Sequence, residues 1–286
     1  AANWRNFNMQ LYGWNTGEFT NETSTWFSGS DNVIIGTEPS IRFGDFNGDG
    51  NIDMFSAPGT DMDELYGNPV VFTNSGADSF TRSEIALGGE DAWSHDSWVA
   101  DINGDGRDDI VMANIGGDHN LSVNYGNADG SFTTYTGTTP GGAGVSVADY
   151  MNDGTMTVIL TDTASNVQSD TKLFSIDTTG ADLVLTEIAT LPASYFYRSE
   201  FDEERAQAGL DPHEIRNFSM DFNNDGVMDV VVVSNLSGND VNMSAMQFLR
   251  NDGGGTFTDV TDTVLVDYDY NTQASYQPII MDINND

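Results

Sequence analysis

Cysteine is absent from this 286-residue chain, and lysine occurs only once, at Lys172. Without cysteine there is no disulfide, no thiolate metal site and no cysteine nucleophile. No stretch approaches about 18 consecutive apolar residues, so the sequence predicts no membrane-spanning helix. The Gly-x-Ser-x-Gly, His-Glu-x-x-His and phosphate-loop motifs are missing as well, which leaves no recognised catalytic signature.

Basic residues are scarce. Nine Lys and Arg stand against 45 Asp and Glu, which gives a formal net charge of −36 at pH 7. Such a surface repels nucleic acid and anionic membranes, so we expect no nucleic-acid binding and no membrane insertion. An adaptation to saline water, where salt screens self-repulsion, and an ordinary solvated acidic surface both explain the excess of acids.

A nine-residue pattern occurs in three near-copies, which begin at Asp45, Asp101 and Asp221. Each copy has Asp or Asn at positions 1, 3, 5 and 9 and Gly at position 6. Ca²⁺ takes six to eight oxygen ligands at about 2.3–2.6 Å, and carboxylates on alternate residues of a tight loop supply them. Position 7 varies freely, as expected if only its carbonyl oxygen binds. β-forming residues follow position 9 and no Glu stands at position 12, so the pattern indicates a calcium loop that leads into a strand, not an EF-hand.

Two further copies are incomplete. The copy at 149–157 keeps Asp149 but has Met151 at position 3 and Thr157 at position 9, and we interpret it as the same turn without a metal site. The copy at 282–286 stops at position 5. The predicted Ca²⁺ ligands are therefore Asp45, Asn47, Asp49, Asn51, Asp53, Asp101, Asn103, Asp105, Arg107, Asp109, Asp221, Asn223, Asp225, Val227, Asp229, Asp282, Asn284 and Asp286, with Asn51, Arg107 and Val227 contributing carbonyl oxygens.

Predicted β-hairpins alternate with these loops. Short apolar runs, an Asn/Gly/Asp turn and a following Phe or Leu recur at 11–19, 70–80, 123–132, 172–183 and 248–257. One strand before each loop, one after it and a hairpin make a four-stranded antiparallel sheet, and radial repetition of such sheets makes a propeller. We therefore predict an all-β fold, a β-propeller of four-stranded antiparallel blades with Asp-rich calcium loops. The apolar runs Ile110–Met112 and Val230–Val233 are expected to be buried between blades.

The Asp-x-Asn-x-Asp-Gly-x-x-Asp loop, the strand after it and the hairpin resemble the FG-GAP/VCBS repeat family, which includes the propellers of integrin α subunits. Phe43-Gly44 before the first loop fits the same pattern. The resemblance covers nearly the whole chain and implies a calcium-binding propeller. About four complete repeats plus partial ones lie in residues 1–286, which we expect to be one C-terminally incomplete domain of a larger, seven-bladed propeller.

Two aromatic segments are candidates for ligand binding. The interval between the fourth hairpin and the third complete loop is the longest, and we predict an inserted loop with a short helix at 192–216, the helix spanning 200–209. Exposed aromatics with arginine favour binding, and packing of the insertion against a blade is the alternative. The second segment is residues 93–98, where Trp and His stand beside Asp. Such residues suit a sugar-binding site, and burial as anchors between blades is the alternative. The candidates are Trp93, His95, Trp98, Tyr195, Tyr197 and Arg198.

The sequence leaves two classes of function open. We expect a non-enzymatic, secreted or cell-surface protein that binds calcium and mediates adhesion, surface assembly or recognition of a glycan or protein. Calcium sites of extracellular modules have Kd values of roughly 10⁻⁴–10⁻³ M, so they are occupied outside cells and not in the cytosol. The alternative is the active or accessory domain of a secreted enzyme that degrades polysaccharide. With one lysine, the chain is poorly supplied with cations for a lyase site on polyanionic uronates.

Overall fold

The protein is built from four antiparallel sheets of four strands each. A computed structural model describes residues 7–8, 12–15, 17–26, 34–35, 40–57, 69–76, 79–85, 93–115, 121–137, 144–161, 171–209, 213–239 and 241–266. In every four-stranded sheet the strands follow one another in chain order, so each sheet is a meander. This confirms the all-β prediction and the four-stranded repeat.

Each sheet forms one blade. Blade 1 contains β5 (Ser40–Gly44), β6 (Asp53–Ala57), β7 (Val70–Asn74) and β8 (Phe80–Glu84). Blade 2 contains β9 (Trp93–Ala100), β10 (Asp109–Ile115), β11 (Leu121–Gly126) and β12 (Phe132–Gly137). Blade 3 contains β13 (Gly144–Ala148), β14 (Thr157–Thr161), β15 (Lys172–Asp177) and β16 (Val184–Thr190). Blade 4 contains β17 (His213–Met220), β18 (Asp229–Gly238), β19 (Val241–Gly253) and β20 (Thr256–Asp259).

Smaller pieces precede the first blade. The predicted hairpin at 11–19 forms the pair β2 (Tyr12–Asn15) and β3 (Glu18–Asn21), and β1 (Phe7–Asn8) pairs with β4 (Ile34–Ile35). The short helix α1 (Thr23–Trp26) lies between β3 and β4 in the chain. These are the partial repeat that the sequence predicts ahead of the first complete one.

The first strands of successive blades lie next to one another, β5 beside β9, β9 beside β13 and β13 beside β17. Because side chains alternate between the two faces of a strand, blades 2 and 3 each pack on the blade before and the blade after them. Ile110 and Met112 of β10 join a core with blade 1, whereas Val111 and Ala113 join a core with blade 3. The predicted burial of Ile110–Met112 is confirmed, and so is that of Val230–Val233.

The insertion before blade 4 is compact. It contains 3-10 turns at Tyr195–Tyr197 and Ser199–Phe201 and the helix α2 (Asp202–Ala208). The helix ends at Gly209, whose φ of 68° is the left-handed conformation that glycine adopts without strain, as the sequence predicts. The insertion is shorter than expected, because β17 begins at His213. A last short helix, α3 (Thr261–Val264), follows blade 4.

Candidate metal-binding loops

The three complete loops and the degenerate fourth one occupy the same place, between the first and second strands of a blade. In each, the carboxylate at position 1 organises the turn by accepting backbone N–H groups. Asp45 Oδ1 accepts from Gly48 at 2.8 Å and Asp49 at 3.1 Å, and its Oδ2 accepts from Gly50 at 2.8 Å. Asp101, Asp149 and Asp221 likewise accept the N–H groups of positions 5 and 6. The loop is therefore folded by its own aspartate.

Positions 3 and 5 extend this arrangement. Asn47 Oδ1 accepts the N–H of Asp49 at 2.9 Å, and Asp49 Oδ1 accepts that of Asn51 at 2.8 Å. The backbone turns through positive φ at position 4, where the third loop has Asn224 with φ 57°, and at position 6, which is Gly50 in the first loop with φ 86°. Glycine avoids the steric cost of that conformation, and asparagine tolerates it better than most residues.

Position 9 has a structural function that the sequence did not reveal. Asp109 is fully buried, and its two oxygens accept the N–H groups of Ile102 in the loop and Gly126 at the end of β11, both at 2.9 Å. Asp53 and Asp229 make the same two bonds in their blades. Position 9 is also the first residue of the second strand in each blade, which is the signal that could have suggested this clamp between loop and sheet.

Burial of the position-9 carboxyls is electrostatically costly. Desolvation raises the pKa of Asp109 to about 6, against the lowering effect of its two backbone hydrogen bonds, and the charge of Asp105 adds to the rise. Burial likewise raises the pKa values of Asp53 and Asp229, with neighbouring loop carboxylates adding to the rise. A bound cation would offset both the desolvation and the mutual repulsion.

The fourth loop keeps the turn, as predicted from its sequence. Asp153 Oδ1 accepts the N–H of Thr155 at 2.9 Å, the counterpart of the bond between positions 5 and 7 in the first loop. At position 9, the Thr157 hydroxyl instead donates to the Ala148 carbonyl at 3.1 Å. Here Met151 replaces the amide and Thr157 the last carboxylate, so two oxygen ligands of the complete loops are lost. That this loop holds no metal stays a prediction.

The first and second loops contact each other directly. Asp108, at position 8 of the second loop, donates its N–H to the Asp45 carbonyl at 3.0 Å and accepts the Asp45 N–H on its carboxylate at 2.8 Å. Gly44 leaves room for that carboxylate, because a Cβ there would lie 2.8 Å from Asp108 Oδ2. Among the three complete loops only the second has a carboxylate at position 8, so no repeat signal pointed to this contact.

The donor set of the complete loops suits a hard cation. Each offers carboxylates at positions 1, 5 and 9, an amide oxygen at position 3 and a carbonyl at position 7, and an oxygen that accepts one N–H keeps a second lone pair. Within the described ranges, no three His, Cys, Asp or Glu side chains are already gathered as metal ligands. The backbone N–H groups hold these oxygens in one turn, where a hard cation could draw them together.

The remaining candidates are the start of the fifth loop, the segment at 93–98 and the insertion before blade 4. The fifth loop start, with Asp282, Asn284 and Asp286, lies outside the described residues, as do the side chains of Trp93 and His95. Trp98 is partly buried and packs against the core between blades 2 and 3, which favours the anchor interpretation for this residue.

The third group, in the insertion, packs against blade 4. Tyr195 is 1% exposed and its hydroxyl donates to Asp262 at 2.8 Å. Arg198 lies over the Tyr195 ring at 3.9 Å from the centroid and forms ion pairs with Asp259 and Asp262. Tyr195 thus belongs to a core with strands β18 and β19, so the packing alternative describes this residue and an exposed ligand-binding role does not.

A buried ion cluster centred on Asp96 of β9 in blade 2 links the first strands of all four blades. Asp96 Oδ1 pairs with Arg42 of blade 1 and Arg216 of blade 4, both at 2.9 Å, and Oδ2 accepts the Val145 N–H of blade 3 at 3.2 Å. Burial raises the pKa of Asp96, and the two guanidiniums oppose that rise. Asp96 is therefore committed to holding blades together.

Comparison with known proteins agrees with the repeat architecture. The model of an FG-GAP-like repeat matches residues 45–112, 101–160 and 221–286, more than half of the chain. The chain belongs to the FG-GAP-like repeat family. Each match begins at the first residue of a complete loop, so these loops are the landmarks of the family repeat in this chain. No curated protein matches the sequence.

Proposed function

We propose that this FG-GAP-like repeat protein is a non-enzymatic, extracellular, calcium-binding propeller that mediates adhesion, surface assembly or recognition of a protein or glycan. The observation that carries the proposal is the threefold recurrence of one folded loop with one oxygen-rich donor set. In the first loop the ligands would be the side chains of Asp45, Asn47, Asp49 and Asp53 and the carbonyl of Asn51. A bound calcium ion would supply positive charge among clustered carboxylates.

The position-9 clamp supports a structural role for the ion. Asp53 joins the loop to the end of the third strand of its blade through two backbone bonds. A cation held by the same carboxylate would tie the tip of the loop to the second and third strands of the blade, much as a disulfide links loops in other secreted domains. Calcium sites of extracellular modules have Kd values of roughly 10⁻⁴–10⁻³ M and fill only where calcium is plentiful, which favours a setting outside cells.

The distribution of cations supports a binding function over catalysis. In the described part of the chain, every Lys and Arg side chain forms an ion pair with Asp or Glu. A lyase acting on uronates would need a cation that faces a cleft and a base beside it. A polysaccharide-degrading enzyme therefore gains no support from the described residues.

Recognition surfaces are better sought in exposed aromatics than in the insertion. Phe19 of the N-terminal hairpin is 70% exposed, and Phe43 of β5 is 64% exposed. Exposed aromatic side chains commonly dominate binding energy. These two residues replace Tyr195 as our candidates for contact with a partner.

Thermal unfolding in calcium and in chelator tests the proposal. With Kd values of roughly 10⁻⁴–10⁻³ M, Ca²⁺ at ~10 mM would stabilise the folded state by about 1.4–2.7 kcal/mol per site, or about 4–8 kcal/mol for three sites. We expect the Tm to be about 8–16 °C higher than in EGTA. MgCl₂ at the same concentration is the control, because Mg²⁺ dehydrates reluctantly and demands octahedral geometry.

An equal Tm in calcium and EGTA would contradict the calcium site. Incubation of the calcium-loaded protein with neutral and uronate polysaccharides tests the enzymatic alternative separately. Release of new reducing or unsaturated ends would establish that alternative, whatever the calcium result.

A further inference from the structure

The side chain at position 7 differs in the three complete loops, which have Asn51, Arg107 and Val227 there. Only its carbonyl is expected to bind a metal, so the sequence assigns no function to the side chain. In the second loop, however, the Arg107 guanidinium folds back onto a ligand of its own loop. Its Nη2 forms an ion pair with Asp105 Oδ2, the carboxylate at position 5.

Two further contacts hold this guanidinium in place. Arg107 Nε donates to the Gly126 carbonyl at 2.7 Å, at the end of β11. The stem of Arg107 lies against the first loop, where a Cβ added to Gly48 would be 3.0 Å from Arg107 Cγ. The ion pair is also partly shielded from water, since the side chains of Arg107 and Asp105 are 26% and 28% exposed. The positive charge is thus fixed beside the predicted metal ligands.

The other two complete loops lack this arrangement. In the first, the neutral Asn51 amide donates to Asp49 Oδ1 at 2.8 Å. In the third, position 7 is the apolar Val227. Arg250 of the same blade forms its ion pair with Asp252, Nε to Oδ1 at 2.7 Å, and not with a loop ligand. Its hydrogen bond to Asp252 raises its pKa, and the more distant charges of Asp229 and Asp225 add to the rise, so its charge reaches this loop through space only. Of the three complete loops, the second is therefore the one in which an arginine of the loop forms an ion pair with a predicted metal ligand.

We propose that Arg107 is an internal counter-cation that makes the second loop the weakest of the three calcium sites. The inference rests on the proposed calcium function. Calcium must either displace the guanidinium from Asp105 or bind beside it. A divalent and a univalent cation about 5 Å apart in water repel each other enough to lower affinity by about tenfold, and salt reduces the effect.

The consequence is graded occupancy. At calcium concentrations between the two affinities, the first and third loops are filled and the second is not. The second loop also contacts the first directly, since Asp108 exchanges two hydrogen bonds with the backbone of Asp45. The second loop thereby reports changes in external calcium while the others maintain the fold.

Calorimetric titration of the full chain with CaCl₂ tests this. Wild type should show two tighter steps and one weaker step. Arg107→Asn, which installs the residue of the first loop, should tighten the weakest step by about tenfold. Arg82→Asn is the control, because it removes the same charge from an exposed ion pair with Glu84 on β8, and it should leave all steps within about twofold. The reciprocal Asn51→Arg should weaken one of the tighter steps.

The outcomes separate the two proposals. If neither the wild type nor any variant binds calcium, the proposed function fails and this inference falls with it. If calcium binds but Arg107→Asn leaves the weakest step unchanged or weaker, the counter-cation role alone is overturned. Should Arg107→Asn fail to fold, through loss of the Gly126 contact, Asn51→Arg decides, and unchanged affinities in that variant overturn the inference.

Discussion

Gly126 at the end of β11 offers the sharpest test of how the blades fit together. A Cβ added there would lie 2.8 Å from the Asp108 carbonyl oxygen and closer still to that of Phe46. Both are backbone atoms, so no change of rotamer relieves the clash. Relief requires the first loop to move away from blade 2, against the Asp45–Asp108 bonds that hold the two loops together.

We expect Gly126→Ala to lower the free energy of unfolding by about 3 kcal/mol or more, at or above the upper end of ordinary overpacking costs. For a chain of this size that corresponds to a Tm about 6 °C lower or more. Urea unfolding in EGTA gives the value without any contribution from calcium. Gly180→Ala is the matched control, because its nearest neighbours would be 4.0 Å from the added Cβ. Equal stability of the two variants would refute the close approach of the blades.

Two other substitutions test the remaining packing arguments. Asp96→Asn leaves the guanidiniums of Arg42 and Arg216 without their carboxylate, and we expect it to lower the free energy of unfolding in urea by about 3–5 kcal/mol. The control Glu84→Gln, on the surface, should lower it by less than about 1 kcal/mol. Similar losses for the two variants would contradict the buried cluster. Phe196→Ala should cost about 3–5 kcal/mol, because this fully buried ring packs on blade 4. A loss below about 1 kcal/mol would show that the insertion is a detachable loop.

The repeat made the fold predictable. Loops, hairpins and the continuous apolar strands recur with a pattern that local chemistry explains, and the structure confirms the four-stranded sheets and the burial of β10 and β18. Contacts between blades have no such pattern. Asp96 and Arg216 lie in different blades, and neither belongs to the loop or hairpin motif, so nothing in the sequence links them.

The insertion shows a different limit. Tyr195, Tyr197 and Arg198 have the composition of a binding hot spot, but the same residues also suit a small core with polar edges. Arg198 pairs with acids 61 and 64 residues away, Asp259 at the end of β20 and Asp262 in α3. Which of the two arrangements forms depends on those distant partners and not on the aromatic segment itself.

The position-9 aspartates show how one residue can serve both fold and site. Asp53, Asp109 and Asp229 were predicted as metal ligands from spacing alone, yet each also fastens its loop to the sheet through two buried backbone hydrogen bonds. Thr157 lacks the carboxylate and its loop still adopts the same turn, held by Asp149. The turn therefore does not require the clamp, whereas a buried carboxylate needs a reason to be retained. Burial raises the pKa of the Asp109 carboxyl, and a cation beside it would favour the charged form, which is consistent with the proposed calcium.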